Sequence, residues 1–322
     1  MARPKKRVIE YRSYDLPMEF PVIVLDGENW RISDVRSPKL HFHNCLEIGM
    51  CHTDSGIMEF GDVSREFRAG DVTVISANIP HTTYSTKGTA SRWSYLFLDP
   101  EALMRVFMKG TLPEAEGFHR LVTSTCAILD RTRYPEIWVT VESIVREMNA
   151  RERGWQFAVY GLLMYLCIML IRIYDEPQLL KAEVPDNEAM AISPALEYIR
   201  SHYMDDFTIE ELADLCHLSE SHFRRLFRGI MDTGPLEYCN SVRIHAACHL
   251  LRMTKETVLS ISEQVGFRSI SSFNRHFQAV MHMKPMEWRR TNAMIGDASI
   301  LEFSGWMEPE RPSEQQGDGR TQ

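Results

Sequence analysis

IEELADLCHLSESHFRRLFRGIM, residues 209–231, is the stretch on which the reading of this chain turns. Thr208, just before it, and Glu211 make a T-x-x-E capping box, in which each side chain satisfies a backbone N–H that the first turn of a helix leaves open. Ile209, Leu212, Ala213 and Cys216 follow at i, i+3, i+4 and i+7, the spacing of one apolar helix face. His217, Leu218 and Ser219 break that period. Beyond them Phe223, Leu226, Phe227 and Ile230 form a second apolar stripe, with Ser221, Arg224, Arg225 and Arg228 opposite. A short capped helix, a tight turn and a second helix with an arginine-rich outer face predict a helix-turn-helix.

The pattern returns at an offset of fifty residues: Ser221, Phe223, Arg225, Phe227, Met231, Pro235 and Glu237 recur as Ser271, Phe273, Arg275, Phe277, Met281, Pro285 and Glu287. Duplication of one helical unit is the simplest cause. In the second copy Val258, Ile261 and Val265 pack the first helix, and Gly266-Phe267 makes the turn. Phe273, Phe277 and Val280 pack the second helix, leaving Ser271, Asn274, Arg275 and Gln278 outside. Arginine pairs bidentately with guanine, asparagine with adenine, and serine with a base or a phosphate, so both polar stripes suit a major groove. Two solvated helical hairpins would also carry polar stripes, but arginine at the matching position in both copies favours DNA. The expected base readers are Ser221, Arg224, Arg225, Ser271, Asn274 and Arg275, with Arg228 and Gln278 on phosphates.

Charge bounds that reading. Residues 193–292 hold 12 Lys plus Arg and 12 Asp plus Glu, so the basic charge must be segregated onto the second helix of each pair. Affinity then leans on a few phosphate contacts, and its dependence on salt should be moderate. The chain's net charge of −8 excludes a protein that coats nucleic acid indiscriminately.

Residues 192–290 resemble the AraC/XylS-type DNA-binding domain of transcriptional regulators. The resemblance runs from IEELADLCHLSESHFRRLFRGIM through YCNSVRIHAACHLL to ISEQVGFRSISSFNRHF and KPMEWR. It implies that 219–230 and 269–280 are two recognition helices, held about one DNA turn apart by the helix that begins at Pro235. The sequence departs from the family where Asp232 and His282 replace glycines three residues before each proline, and where Ser262 replaces an alanine. Aspartate and histidine tolerate a left-handed backbone better than most residues, so the expected effect is a modest loss of stability in an intact fold.

Residues 21–100 read as short strands broken by Gly and Asp, including a Met58–Phe60 and Val63 hairpin with Gly61 first in its turn, which suggests a sandwich or barrel. Here HFHNCLE, 41–47, places His41, His43 and Glu47 on one face if the strand runs uninterrupted. Two imidazoles and a carboxylate are the donors of a zinc or non-haem iron site, to which His81 adds a third ring. The same half resembles the effector domain of the family, a cupin-type β-barrel followed by helices that pair subunits. The resemblance implies an effector pocket lined by His41, His43, Glu47 and His81, with a divalent metal as one reading of that pocket and no cofactor assigned. The alternative is a metal-dependent cupin enzyme with an attached DNA-binding module. No catalytic residue is assigned, because a regulatory DNA-binding domain is an uncommon companion for catalysis.

The expected fold is α+β: a cupin-like barrel at 1–100, a helical dimerisation subdomain at 101–174, a linker at 175–191, an all-α domain with two helix-turn-helix motifs at 192–292, and a polar tail at 293–322. The seven cysteines are odd in number and contain no Cys-x-x-Cys pair, which points to reduced, cytoplasmic protein. The start, 1–7, is basic without an apolar signal segment after it, and the apolar run at 158–171 is shorter than the roughly 17–25 residues that span a bilayer, so no membrane is expected. Expected partners are promoter DNA, a second copy of the chain, RNA polymerase for an activator, and a small-molecule effector, with a carbohydrate suggested first by the resemblance. Tyr84, Trp93, Tyr95 and Phe97 offer stacking surfaces for such a ligand, or simply core.

Overall fold

The computed structural model describes residues 8–12, 14, 16–17, 20–100, 103, 115–123, 125–174 and 188–290. The expected basic arm at 1–7, the linker over 175–187 and the tail at 293–322 lie outside these residues.

Among the described residues, eleven strands form two facing sheets. One has the order β1 (Val8–Arg12), β4 (Lys39–His43), β9 (His81–Ser85), β6 (Ser55–Phe60), β7 (Val63–Arg68). The other runs β11 (Cys126–Leu129), β8 (Val72–Ile75), β5 (Leu46–Cys51), β10 (Ser91–Leu98), β2 (Val22–Leu25), with β3 (Arg31–Ile32) on β10. Gly61 opens the β6–β7 turn at φ +57, as the sequence suggests. The result is cupin-like, with no ladder closing the two sheets into a ring among the described residues.

Period-two alternation divides the second sheet between two cores. Trp93, Tyr95 and Phe97 of β10 point inward, where they meet Met58 and Phe60 of the first sheet. Leu96 and Leu98 point outward with Ile48 and Met50 of β5 against a helical layer. Both faces are buried, which is why these strands read as continuous apolar text. The helices are α1 (Ala115–Thr123), α2 (Pro135–Ala150) and α3 (Trp155–Tyr174). The stripe Ile137, Val141, Ile144, Val145 and Met148 is buried as its spacing predicts.

Three expectations change. The segment after residue 100 is not wholly helical: Cys126–Leu129 is β11 and pairs antiparallel with β8, because four apolar residues beside an open sheet edge complete its ladder. The expected linker ends in a helical turn, α4 (Glu188–Ala191). And α3 extends beyond the apolar run at 158–171, so that Trp155–Ile173, with a mean hydropathy of 1.8, is long and apolar enough to cross a bilayer by length and composition. Val159, Leu163, Leu166, Cys167 and Leu170 of that helix are packed in the core it shares with α2 and the sheet.

The C-terminal helices are α5 (Ser193–Ser201), α6 (Ile209–Leu215), α7 (Glu220–Met231), α8 (Pro235–Met253), α9 (Val258–Gln264), α10 (Ile270–Met281) and α11 (Pro285–Arg290). They enclose two cores, and α8 serves both: Tyr238 and Cys239 join the first, while Ile244, Ala247 and Leu251 join the second. Arg243, midway along α8, donates to the carbonyls of Tyr203 at 2.6 Å and Asp205 at 3.0 Å and lies over the Phe267 ring.

Candidate nucleic-acid interface and sensing pocket

Each helix-turn-helix is fixed by its own caps. The box at Thr208 forms as the sequence predicts: Thr208 Oγ1 accepts from the Glu211 amide at 3.1 Å and Glu211 Oε2 from the Thr208 amide at 2.6 Å. In the second copy Thr257 and Ser269 cap α9 and α10 through the amides of Ser260 and Ser272. The copies differ by one residue in the turn, since α6 and α9 start 49 residues apart (209 to 258) and α7 and α10 start 50 apart (220 to 270). His217 takes a positive φ of +54 in the shorter turn and Gly266 one of +89 in the longer. Asp232 and His282 both sit at φ +54 and end α7 and α10, so the two departures from family glycines adopt the left-handed cap. Ser262 is fully buried and its hydroxyl donates to the Leu259 carbonyl at 2.7 Å, which removes the cost of the extra oxygen.

Buried phenylalanines aim the polar stripes outward. Phe223 and Phe227 are fully buried with ring centroids 5.5 Å apart, and Phe273 and Phe277 repeat the arrangement at 5.5 Å. Each such ring contributes about 1.5–3 kcal/mol relative to exposure, so the helix cannot rotate its outer face inward. Ser221, Arg224, Arg225 and Arg228 are exposed on α7, and Ser271, Asn274, Arg275 and Gln278 on α10. Arg224 lies along its own helix, donating through Nε at 2.8 Å and Nη2 at 2.6 Å to Glu220 Oε1. An exposed pair of that kind is worth about 0.2–1 kcal/mol, so a phosphate or base edge displaces it readily.

The strand that would have placed His41, His43 and Glu47 on one face is interrupted. After His43 the chain turns at Asn44 and Cys45 and crosses from β4 in one sheet to β5 in the other. His41 and His81 are direct cross-strand partners in the first sheet, and Glu47 faces them from the middle strand of the second. His43, Glu47 and His81 are buried, and His41 is half-buried. Glu47 Oε2 lies 3.0 Å from His43 Nε2 and 3.7 Å from His81 Nε2. On the far side of both rings, Nδ1 meets a backbone carbonyl: Cys45 O at 2.9 Å for His43 and Ile79 O at 2.8 Å for His81. Burial pushes the His43 and His41 imidazoles down, toward the neutral form. Burial alone would raise the Glu47 carboxyl, but the neighbouring His43 and His81 rings outweigh it and hold Glu47 ionised, well below the usual carboxylate range.

A cavity of about 130 Å³ opens onto His41, Glu47 and His81, with Arg12, Tyr14 and Tyr95 among its walls. Of the aromatics singled out in the sequence, Tyr95 and Phe97 line it, whereas Trp93 is core and Tyr84 donates to Glu59 at 3.3 Å. Arg12 and Tyr14 were not foreseen, because they precede the strands whose alternation marked the pocket. Also unforeseen is a seam between the halves. Arg200 of α5 donates to the Asn44 carbonyl at 2.5 Å, the Tyr11 and Tyr238 hydroxyls are 3.1 Å apart, and Phe42 of β4 packs into the first C-terminal core.

A helix-turn-helix domain family model matches residues 212–291. YdeC, an HTH-type transcriptional regulator of Bacillus subtilis, is 21% identical over 309 residues, which is 89% of this chain and 97% of that protein. SAS0078, an HTH-type transcriptional regulator of Staphylococcus aureus, is 31% identical over 149 residues, 46% of this chain and 19% of that protein. A crystal structure of an AraC-type DNA-binding-domain regulator from Chromobacterium violaceum is 23% identical, with a TM-score of 0.31, and the match covers 33% of this chain and 95% of that one. The second half thus carries a helix-turn-helix domain. The chain has a sheet-rich first half and a helical second half that carries this domain. In the helical half both helix-turn-helix units are complete, each with its cap, its paired phenylalanines and its exposed polar stripe.

Proposed function

We propose that the chain is an effector-responsive regulator that reads promoter DNA with α7 and α10 and senses a small molecule in the cupin-like half. One observation carries this reading: two helices with the same buried phenylalanine pair present matched polar stripes, with Arg225 and Arg275 at the same position. Ser221, Arg224, Asn274 and Ser271 read bases beside them, and Arg228 and Gln278 hold phosphates. The 19 residues of α8 give a spacer of about 28 Å, close to the roughly 34 Å of one DNA turn once side chains are added.

The effector enters the cavity beside His41 and Glu47, where Tyr95 and Phe97 suit a sugar or another small ring. The seam supports a route from that cavity to the DNA-binding half. Asn44, one residue after His43, holds Arg200, and Tyr11, one residue before Arg12, holds Tyr238. A ligand that prefers one seam geometry shifts the population of binding-competent arrangements. Dimerisation fits the outer side of α3, where Phe157 is 79% and Tyr165 50% exposed. The seven cysteines, all buried and none in a disulfide, suit a reducing, cytoplasmic setting.

The test selects genomic fragments with purified protein and measures affinity for the selected site. Arg225→Ala and Arg275→Ala each weaken specific binding by about 5–150-fold, corresponding to about 1–3 kcal/mol per bidentate pair, and relax preference at separate base positions. Unchanged affinity and preference in a folded double variant refutes the assignment. Metabolite titration of the same complex then tests sensing.

A further inference from the structure

The segment between α5 and α6 belongs to the first helix-turn-helix unit, yet it is fastened to the second. Tyr203 packs against both C-terminal cores. Its carbonyl and that of Asp205 accept the two hydrogen bonds that Arg243 donates, and the same guanidinium lies 5.7 Å from the ring centroid of Phe267, in the turn of the second unit. Gly266, in that turn, comes so close that a Cβ there would stand 2.7 Å from the Met204 carbonyl oxygen and 3.1 Å from Arg243 Nε. Beside these contacts Asp206 Oδ2 accepts from Arg268 Nη2 at 2.5 Å. Arg268 directly precedes Ser269, whose hydroxyl caps α10. The loop of the second unit is held within its own side: Arg289 of α11 donates to the carbonyls of Leu251 at 2.9 Å and Glu256 at 2.6 Å.

We propose that this buckle, residues 203–206 against 266–268 with Arg243 across it, fixes the rotation of α10 relative to α7, and that Asp206, Arg243 and Arg268 thereby set how many base pairs separate the two DNA segments the chain reads. They are positioning residues, acting through the placement of α10 rather than on a base. The proposal rests on the reading of α7 and α10 as the DNA-reading helices. A connecting helix such as α8 fixes a distance along its axis but leaves each unit free to pivot about that axis; a second attachment away from the axis removes the pivot. One base pair displaces a DNA segment by about 3.4 Å and turns it by about 35° around the duplex. A joint that yields by that much accepts a changed spacing, and a joint held at two points does not. The parts of the buckle differ in strength. Arg243 and Gly266 are half-buried, whereas Asp206 and Arg268 are 69% and 82% exposed, where water and salt weaken an ion pair. The exposed pair is therefore the part that can be loosened without disturbing either core.

The experiment uses full-length protein and the DNA site selected with it, alongside versions of that site with one base pair inserted or removed between the segments covered by α7 and α10. The wild type is expected to lose about 5- to 150-fold in affinity per step, the size of a forfeited base contact. Asp206→Ala and Arg268→Ala each reduce that loss about two- to fivefold, the size of one exposed ion pair, and exchanging the two residues, Asp206→Arg with Arg268→Asp, restores it. Arg243→Lys keeps the charge but not the paired donors to two carbonyls, and it reduces the loss further. Spacing preference is a ratio within each variant, so a general fall in stability or affinity cancels. A wild type indifferent to spacing overturns the proposal, as do folded variants whose loss equals that of the wild type, or an exchanged pair that restores nothing. So does a phosphate role for Arg268, in which Arg268→Ala weakens every spacing equally while Asp206→Ala strengthens them. If Arg225→Ala and Arg275→Ala leave specific binding unchanged, the DNA-reading assignment falls and the buckle with it; if they abolish specificity while the spacing loss stays fixed in the buckle variants, the buckle alone falls.

Discussion

Asp232 and His282 give a quantitative test of the helix-turn-helix geometry, because the duplication supplies its own control. Each ends the second helix of its unit at φ +54, where a side chain with a Cβ costs about 1–2 kcal/mol; aspartate and histidine fall near the middle of that range and alanine, which cannot hydrogen-bond locally, at its top. Glycine removes that cost but loses about 0.5–1 kcal/mol more backbone entropy on folding. Asp232→Gly and His282→Gly should therefore each stabilise their helix pair by about 0.5–1 kcal/mol, and alanine at either site should destabilise it by a similar amount. Met231 belongs to the first C-terminal core and Met281 packs on the second, so the two gains should add within about 0.5 kcal/mol. Hydrogen exchange is the suitable assay, since it reads each helix pair separately in the full-length chain. Amides of α7 should exchange about two- to five-fold more slowly in Asp232→Gly, and amides of α10 likewise in His282→Gly, given about 1.4 kcal/mol per factor of ten. Faster exchange with glycine, or glycine and alanine acting alike, would refute the left-handed caps.

Gly266→Ala should cost about 2–3 kcal/mol and reduce DNA affinity, because its new Cβ would lie 2.7 Å from the Met204 carbonyl oxygen at a φ of +89. Gly229→Ala, which meets nothing within 4 Å, should instead stabilise α7 by about 0.5–1 kcal/mol in a urea denaturation of both glycine variants. Arg243→Ala should destabilise the C-terminal half by about 2–3 kcal/mol, through two lost hydrogen bonds to carbonyls and one ring contact. A change below 0.5 kcal/mol in a urea titration followed by tryptophan fluorescence would show that α8 does not depend on it.

The C-terminal half was legible because its determinants are local. Caps, turns and apolar stripes each lie within about one helical pair, and the duplication repeats them, so Phe223, Phe273 and Thr208 could be placed by spacing alone, and the left-handed Asp232 through the family resemblance. The eight exposed residues of the two polar stripes follow from the same spacing, since packing one helix face fixes the other. The first half was legible only as a class. Alternation identified inward residues such as Tyr95 and Phe97, but it could not show that Cys126–Leu129 joins a sheet, because a four-residue apolar run looks alike in a helix and in a buried strand.

The sequence by itself determined two helix-turn-helix units, a sheet-rich domain before them, and the residue types gathered at 41–47. Tertiary structure alone decided how those residues meet. The turn at Asn44 sends Glu47 into the opposite sheet, so the carboxylate faces His41 and His81 across the cavity instead of sharing their strand. The same turn exposes the Asn44 carbonyl to Arg200, 156 residues away in the chain. Pairing between sheets and contact between domains depend on which surfaces remain open after local structure forms, and residue spacing within one segment carries no record of that choice.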